Sequence, residues 1–184
     1  FIPRSIFIGI DGGFAPWVGA LIKDIEQPIL LIVPEGREEE VVIRLSRVGF
    51  DNTLGYLKGG FNAWKDSGKE IDTLRSVSAE TLESEIAINK VPVFDIRKPG
   101  EYENEHIVDT PSTPLDYLNS HIESFPSDTD FYVHCAGGYR SVIASSILKA
   151  RGIHNVIDVA GGYGAIKKTG IERTATVCPS TLKK

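Results

Sequence analysis

The residues with the clearest chemical potential lie together in the segment HCAGGYRS, which begins at His134. Its candidate nucleophile, Cys135, directly follows a short apolar run. Four residues lie between this cysteine and Arg140: Ala136, Gly137, Gly138 and Tyr139. Glycines let the backbone approach a ligand closely, so several consecutive N–H groups can point at one anion. A helix that starts here adds the positive end of its dipole, and the arginine adds a permanent positive charge.

These surroundings predict that Cys135 ionises readily to a thiolate. The thiolate is the nucleophile in cysteine chemistry, and nearby positive charge stabilises it. The alternative is that Cys135 is an inert, buried structural residue, as an isolated cysteine commonly is. The glycine pair, Arg140 and the position between a strand and a helix together favour a partly accessible, reactive thiol.

The neighbouring His134 invites a cysteine–histidine interpretation of the site. Adjacent residues of a strand point to opposite faces, so we expect its side chain to point away from the thiol and to be structural. The other histidines are His106, His121 and His154. None of the four has a spacing typical of metal ligands, and the sequence therefore predicts no metal site.

The elements that must position Cys135 are a strand, a loop and a helix, followed by a second strand and helix. The apolar strand DFYVH (130–134) precedes the loop, and an amphipathic helix is predicted over 141–151, ended by Gly152. The next strand is NVIDV (155–159), and a last helix is predicted over 161–170.

The first half of the chain repeats this arrangement. Strands are predicted at 29–33 and 52–57, with an amphipathic helix between them and a short helix at 59–68. The aligned pairs are Arg37 with Arg140, Gly49 with Gly152 and Asn52 with Asn155, all at an offset of 103 residues. The sequence therefore predicts an α/β fold of two duplicated modules, each a mostly parallel sheet flanked by helices.

The predicted modules occupy residues 1–72 and 77–175, and a tail at 176–184 contains Cys178. We expect Cys178 to be an incidental exposed thiol, and the alternative is a resolving cysteine. The boundary lies in the polar stretch 69–78, where Ser78 followed by acidic residues predicts a helix N-terminus. The strand VPVFDI (91–96), a Pro-Gly break and an acidic helical turn follow. The first module has no equivalent of this strand, so we expect it to be truncated at its N-terminus.

The first module also lacks the chemistry of the second. No cysteine precedes Cys135, and the loop PEGR is shorter and opens with Pro34, which has no N–H to donate. Its acidic residues would repel an anion and instead stabilise a helix N-terminus: Glu35, Glu38, Glu39 and Glu40. Four aromatic side chains are expected in its core: Phe14, Trp17, Phe61 and Trp64. We therefore expect a catalytically inactive scaffold or docking module.

The composition is that of a globular chain, with 41% hydrophobic and 24% charged residues among 184. With a formal net charge of −5 and scattered Lys and Arg, nucleic-acid binding is not expected. No apolar run approaches the roughly 18 residues of a membrane helix, so no membrane association is expected. Two cysteines favour a reducing compartment, and we expect a cytoplasmic location. A chain that opens on FIPRSIF and lacks methionine is expected to be a piece of a longer polypeptide.

HCAGGYRS resembles the active-site loop of rhodanese-type sulfurtransferases. Upstream, FDIRKPGEYENEHI (94–107) is similar to the Asp-x-Arg…Glu-Tyr…Gly-His-Ile segment of that family, with Glu105 where glycine is usual. Downstream, VAGGYGAIKKTG is similar to its Gly-Gly-x-x-x-Trp helix, with Ile166 in place of tryptophan. The resemblance covers residues 77–172.

This resemblance implies that Cys135 accepts a sulfane sulfur from thiosulfate or a persulfide and passes it to cyanide or a thiol. The implied partners are therefore small sulfur donors and thiol acceptors, and the implied intermediate is a persulfide on Cys135 with no other cofactor. The backbone amides from Ala136 to Arg140 would bind its terminal sulfur. Supporting roles fall to Asp95, Arg97 and Ser141. Arg97 either steers anions or forms a buried ion pair that ties its strand to the loop.

The first module resembles the same fold through FIPRSIFI and YLKGGFNAW. Tandem modules of this kind resemble the C-terminal part of metallo-β-lactamase-fold hydrolases fused to rhodaneses, relatives of persulfide dioxygenases. That resemblance implies a metal-binding domain outside this chain. The alternative to an enzyme is a non-catalytic sulfur carrier or docking module of such a larger hydrolase.

Overall fold

The computed structural model describes residues 1–175, which divide into two compact units. The first unit is Phe1–Thr73, and the second begins at Leu74. In both units helices accompany strands that pair in parallel. This confirms the predicted α/β class with parallel sheets. Within residues 1–175, no helix is long and apolar enough to cross a membrane.

The first unit has a two-stranded sheet. Its elements are helix α1 (Phe14–Leu21), strand β1 (Ile29–Leu31), helix α2 (Glu38–Ser46), strand β2 (Thr53–Tyr56) and helix α3 (Gly60–Asp66). Helices α1 and α2 bury apolar residues against the inner face of β1, and the buried core consists of Phe14, Val18, Leu31, Val33, Val41, Leu45 and Phe50. The opposite face of the sheet is exposed, with Leu30 75% and Leu54 65% accessible.

The prediction that four aromatic residues form the core of the first unit is right only for Phe14. That residue is buried in α1, a helix that the sequence pattern did not predict. Trp17, Phe61 and Trp64 are half-buried instead. Polar contacts explain the position of Trp64, since its Nε1 donates to a backbone oxygen at 2.7 Å and an ammonium group lies 5.0 Å from its ring centroid. An aromatic ring with a polar handle is stable at such a boundary.

The second unit has a four-stranded parallel sheet in the order β3-β6-β5-β4. Its elements are β3 (Arg75–Val77), α4 (Ala79–Asn89), β4 (Val93–Asp95), α5 (Pro99–Asn104), two short 3₁₀ helices (Leu115–Ser120 and Ile122–Ser124), β5 (Phe131–His134), α6 (Tyr139–Ala150), β6 (Val156–Val159) and α7 (Gly162–Ile166). Every residue of the two central strands, β5 and β6, is buried, as expected of strands covered on both faces.

Parallel pairing places the carboxyl ends of these strands at one edge of the sheet, where sites in α/β proteins are commonly found. Cys135 directly follows β5. The neighbouring strand β4 ends at Asp95, and Arg97 lies two residues further along the chain. Apolar residues of α6, such as Ile143 and Leu148, are fully buried and anchor the helix that starts at the loop.

The helix boundary that a capping side chain determines agrees with the sequence-based prediction. The boundary that backbone conformation determines differs from it. The Ser78 hydroxyl accepts the backbone N–H of Thr81 at 3.2 Å, which confirms the predicted N-terminus of α4. Helix α6 begins at Tyr139, earlier than the predicted start at Ser141. The cause is Gly138, whose φ of +102° turns the chain into the helix directly.

Candidate active site

The thiol of Cys135 is buried, with 1% of the residue exposed, so the prediction of a partly accessible thiol is wrong. A segment that follows β6 lies against the backbone of the cysteine loop. The backbone N–H of Tyr163 donates to the carbonyl oxygen of Cys135 at 2.7 Å, and the N–H of Gly164 donates to that of Ala136 at 3.0 Å. These bonds hold the start of α7 directly against the cysteine loop.

Two donors reach the sulfur from the start of α6. The backbone N–H of Gly138 lies 3.1 Å from the Sγ of Cys135, and the hydroxyl of Ser141 lies 3.5 Å from it. Ala136 and Gly137, the other residues of the glycine-containing turn, are exposed. The helix N-terminus and these donors favour negative charge on the sulfur.

The positive charge predicted beside the loop is already paired. Arg140 donates two hydrogen bonds to the carboxylate of Glu101, at 2.6 and 2.8 Å. The same carboxylate accepts the N–H of Lys98 at the start of α5. The pair lowers the pKa of Glu101 and raises that of Arg140. Sequence reasoning gave Glu101 no role, although it lies in the acidic turn that resembles the family.

Asp95 and Arg97 form a buried ion pair, which is the second of the two arrangements considered for Arg97. The guanidinium Nε and Nη2 donate to Asp95 at 2.9 and 2.6 Å, and Nη2 also donates to the carbonyl oxygen of Glu105 at 2.7 Å. The guanidinium lies 3.7 Å from the ring centroid of Tyr163. Because Arg97 is 4% exposed, it holds β4, α5 and α7 together and is not free to steer anions.

His134 belongs to this same buried cluster. Its Nε2 lies 3.9 Å from Asp95, and its ring centroid is 5.7 Å from that of Tyr163. Neither ring nitrogen has a hydrogen-bond partner among the described residues. Burial lowers the pKa of His134, with Asp95 opposing and Arg97 adding to the effect. The imidazole is therefore neutral and packs as a structural residue.

Asp158 is a further polar residue near the site that sequence reasoning missed. It lies in β6, is 5% exposed and accepts a hydrogen bond from the hydroxyl of Ser76 at 3.2 Å. Burial raises the pKa of Asp158, while hydrogen bonds from Ser141 and Ser76 act in the opposite direction. The available signal was a carboxylate in the middle of the apolar strand NVIDV.

Together these groups form a site suited to a buried sulfur anion. Cys135 receives one backbone donor and one hydroxyl donor, at the N-terminus of a well-anchored helix. The charged side chains around it are paired with each other: Arg140 with Glu101 and Arg97 with Asp95. Such fixed donors in a dry site stabilise charge that develops on a reacting atom.

Comparison with known proteins agrees with this geometry. The Sulfurtransferase of Allochromatium vinosum is 27% identical over 99 residues, covering 53% of this chain and 92% of that protein. The Uncharacterized protein YqhL of Bacillus subtilis is 28% identical over 74 residues, covering 40% of this chain and 59% of its own length. The Putative sulfur carrier protein YrkF, also of Bacillus subtilis, is 26% identical over 106 residues, covering 57% of this chain and 55% of its own length. The chain thus spans a little over half of these last two relatives.

Among solved structures, the rhodanese-like domain protein of Staphylococcus aureus superposes with a TM-score of 0.50 and 29% identity, covering 54% of this chain and 97% of that one. A family model described as the Rhodanese-like domain matches residues 78–169, half of the chain and most of the second unit. With its cysteine loop between β5 and α6, this chain belongs to the rhodanese-like domain family.

Proposed function

We propose that the chain is a sulfurtransferase that carries a sulfane sulfur as a persulfide on Cys135. The observation that carries the proposal is the 3.1 Å hydrogen bond from the Gly138 N–H to Sγ at the start of α6. A donor that stabilises a thiolate at this place also stabilises the anionic persulfide that replaces it. The relative named Sulfurtransferase supports the same reading.

In the proposed cycle, the Cys135 thiolate attacks the outer sulfur of thiosulfate or of a small persulfide. The S–S bond of the donor breaks, and sulfite or a thiolate leaves with its electron pair. A second nucleophile, cyanide or a thiol, then attacks the outer sulfur of the Cys135 persulfide, and the Cys135 thiolate leaves. The buried pair of Asp95 and Arg97 keeps β4 in place beside the loop throughout.

Intact-mass spectrometry tests this function. Treatment with thiosulfate or glutathione persulfide is expected to add the mass of one sulfur atom, and peptide mapping should locate it on Cys135. Cys135→Ser should abolish both this addition and thiocyanate formation from cyanide. Cys178→Ser, which changes a residue outside the described part of the chain, should leave both intact. Sulfur addition that persists in Cys135→Ser would refute the proposal.

A non-catalytic sulfur carrier is the second candidate, and two observations favour it. Cys135 is 1% exposed, so an acceptor must gain access to a buried sulfur. One relative is named Putative sulfur carrier protein YrkF. Many turnovers per chain with thiosulfate and cyanide would support the enzyme, whereas stoichiometric loading without turnover would support the carrier.

We further propose that the first unit is a degenerate copy of the second. Gly60 has a φ of +58° and a Cβ there would lie 2.5 Å from the oxygen of Val33, while Gly162 has a φ of +52° and its Cβ would lie 2.3 Å from the oxygen of Cys135. The same backbone contact thus occurs in both units, and Val33 occupies the position in the first unit that Cys135 occupies in the second. The copy would serve as a scaffold or docking module, and the tandem would belong to a hydrolase whose metallo-β-lactamase-fold domain lies outside this chain.

A further inference from the structure

One face of the two-stranded sheet in the first unit is apolar and uncovered. On this face Leu30, Leu54 and Tyr56 are 75%, 65% and 54% exposed. Strand β2 pairs with β1 along one edge, and no described residue pairs with its other edge. Contiguous exposed apolar side chains and an open strand edge are typical of surfaces that bind another segment of protein.

The internal repeat gives each of these side chains a counterpart in the second unit. The offset is 103 residues in β2, where Asn52 corresponds to Asn155, and 102 residues in β1, where Val33 corresponds to Cys135. The counterparts of the three exposed residues are, in order, Tyr132, Ile157 and Val159. These three are 6%, 1% and 0% exposed. The same positions of the sheet are therefore uncovered in one unit and buried in the other.

Strand β3 and helix α4 cover these positions in the second unit. Strand β3 pairs with β6 along the edge that corresponds to the open edge of β2. Helix α4 then packs Ala79 and Leu82 into the cluster that holds the three counterparts, with Ile86 at its margin. This spacing, i, i+3 and i+7, is one face of an amphipathic helix. Among residues 1–73, no helix or strand corresponds to β3 or α4.

We propose that the exposed face of the first unit is the docking site of a short parallel strand followed by an amphipathic helix, of the same design as β3 and α4, contributed by the same polypeptide from outside residues 1–184. The strand would add to the open edge of β2, and the helix would bury Leu30, Leu54 and Tyr56. The inference rests on the proposed origin of the first unit as a degenerate copy.

The second unit indicates the source of this segment. There, β3 and α4 belong to the same chain as the sheet that they cover. A short strand and helix bury little surface, so they bind poorly as a separate molecule, whereas covalent attachment gives them a high effective concentration. A segment of the same polypeptide therefore suits this face better than a separate partner.

A further correspondence, at Phe1, shows where such a segment can be attached for a test. The backbone N–H of Asp72 donates to the carbonyl oxygen of Phe1 at 2.9 Å, as that of Thr174 donates to the carbonyl oxygen of His106 at 2.8 Å. Three residues further along, Arg4 and Asp109 have φ values of +66° and +61°. Because Phe1 corresponds to His106, the segment 74–105, which includes β3 and α4, can be joined directly before Phe1.

Addition of a second copy of residues 74–105 before Phe1 of the full chain supplies a strand and helix of the proposed design. Hydrogen exchange of the β2 amides, measured by mass spectrometry after proteolysis, should slow about tenfold or more because the open edge becomes hydrogen-bonded. The matched control carries Leu82→Glu and Ile86→Glu in the added copy alone and should exchange as fast as the unmodified chain. Equal exchange with and without the added segment would overturn the proposal.

A substitution on the face itself tests which surface is covered. Leu54→Glu should remove the protection that the added segment gives to β2, because a carboxylate would be buried under the helix. Tyr117→Glu changes a similarly exposed apolar side chain of the second unit, 59% accessible, and should leave that protection intact. Protection that persists in Leu54→Glu would mean that the segment binds elsewhere and would overturn the proposal.

Two measurements distinguish other occupants of the face. Residues 1–184 should sediment as a monomer, and a dimer that Leu54→Glu dissociates would make a second copy the occupant and overturn the proposal. In the polypeptide at its full encoded length, the β2 amides should be protected as they are with the added segment. Fast exchange there would overturn the assignment to the same polypeptide. None of these measurements uses a sulfur donor, so failure to load Cys135 would count against the proposed sulfur transfer alone.

Discussion

Glu101 holds the guanidinium of Arg140 through two hydrogen bonds of 2.6 and 2.8 Å, so the one cation of the CAGGYR loop is paired in the resting structure. The loop spacing suggested a free arginine that attracts anions. The structure instead places a carboxylate from α5 beside it. A dianionic donor such as thiosulfate therefore approaches a loop whose charge is balanced, and the pair sets how strongly that donor is attracted.

Glu101→Gln should free much of this charge. We expect thiosulfate to load Cys135 severalfold faster at low ionic strength, with the gain lost at high salt because screening removes the attraction. Mass spectrometry of samples quenched at successive times measures the loading rate. Glu103→Gln changes the net charge equally from an exposed position on the same helix and is the matched control. A slower rate in Glu101→Gln would mean that the pair holds Arg140 where the donor needs it. An unchanged rate would mean that the pair does not set the attraction of the donor.

The close approach of Gly162 to the backbone of Cys135 predicts the effect of adding one methyl group at that glycine. In Gly162→Ala the new Cβ would lie 2.3 Å from the Cys135 oxygen, at a φ of +52°, which nonglycine residues rarely adopt. We expect the second unit to lose about 2 kcal/mol or more of unfolding free energy and persulfide loading to fall with it. Urea denaturation and intact-mass loading measure the two effects.

Gly60→Ala is the control for this change, since it introduces the same backbone conflict, 2.5 Å from Val33, in the unit without a cysteine. It should destabilise the first unit and leave loading of Cys135 at the wild-type rate. Equal losses of loading in both variants would contradict the assignment of this contact to the site.

Local sequence patterns were enough for the parts of the site that neighbours along the chain determine. The apolar run before Cys135, the glycine pair and the pattern of α6 lie within a few residues, and the predicted strand, loop and helix are present. Ser78 defined the start of α4 because a capping side chain acts three residues away. These interactions depend on spacing alone.

Contacts between distant residues explain what could not be predicted. The backbone N–H groups of Tyr163 and Gly164 bond to the cysteine loop, and they reach it only because β6 pairs with β5. The partner of Arg140 is 39 residues away, on a helix after a different strand. No periodicity in the sequence encodes either contact, since both depend on strand order in the sheet.

Buried His134 should make the second unit sensitive to mild acid. Burial lowers its pKa in the folded protein, so the unfolded chain binds the proton first as pH falls. The stability is therefore fully present above the unfolded value of about 6.5 and is lost below it, by up to about 1.4 kcal/mol per pH unit. Urea denaturation followed by circular dichroism between pH 7.5 and 5 measures this slope.

His134→Phe keeps a ring against Tyr163 but cannot be protonated, so its stability should change little over that pH range. The exposed His154 provides the control, because His154→Phe should keep the wild-type slope. A wild-type slope in His134→Phe would assign the acid sensitivity to another group.

The length of the cysteine loop predicts which anion the site accepts. Four residues separate Cys135 from Arg140, whereas the phosphatases and arsenate reductases that share the predicted fold have five. A tetrahedral phosphate needs a ring of donors wide enough to surround its oxygens, while a single persulfide sulfur fits a tighter turn. We therefore expect no measurable hydrolysis of p-nitrophenyl phosphate under conditions that load Cys135 with sulfur.

Insertion of one glycine after Gly138 tests the same argument by lengthening the cysteine loop to five residues. It should move the backbone N–H that lies 3.1 Å from Sγ and displace the start of α6, and we expect persulfide loading to fall at least tenfold. A glycine inserted after Gly36, in the loop of the first unit, is the matched control and should leave loading unchanged. Phosphatase turnover in the unmodified chain comparable to its sulfur transfer would overturn the assignment, because the shorter ring would then bind phosphate as well as it binds sulfur.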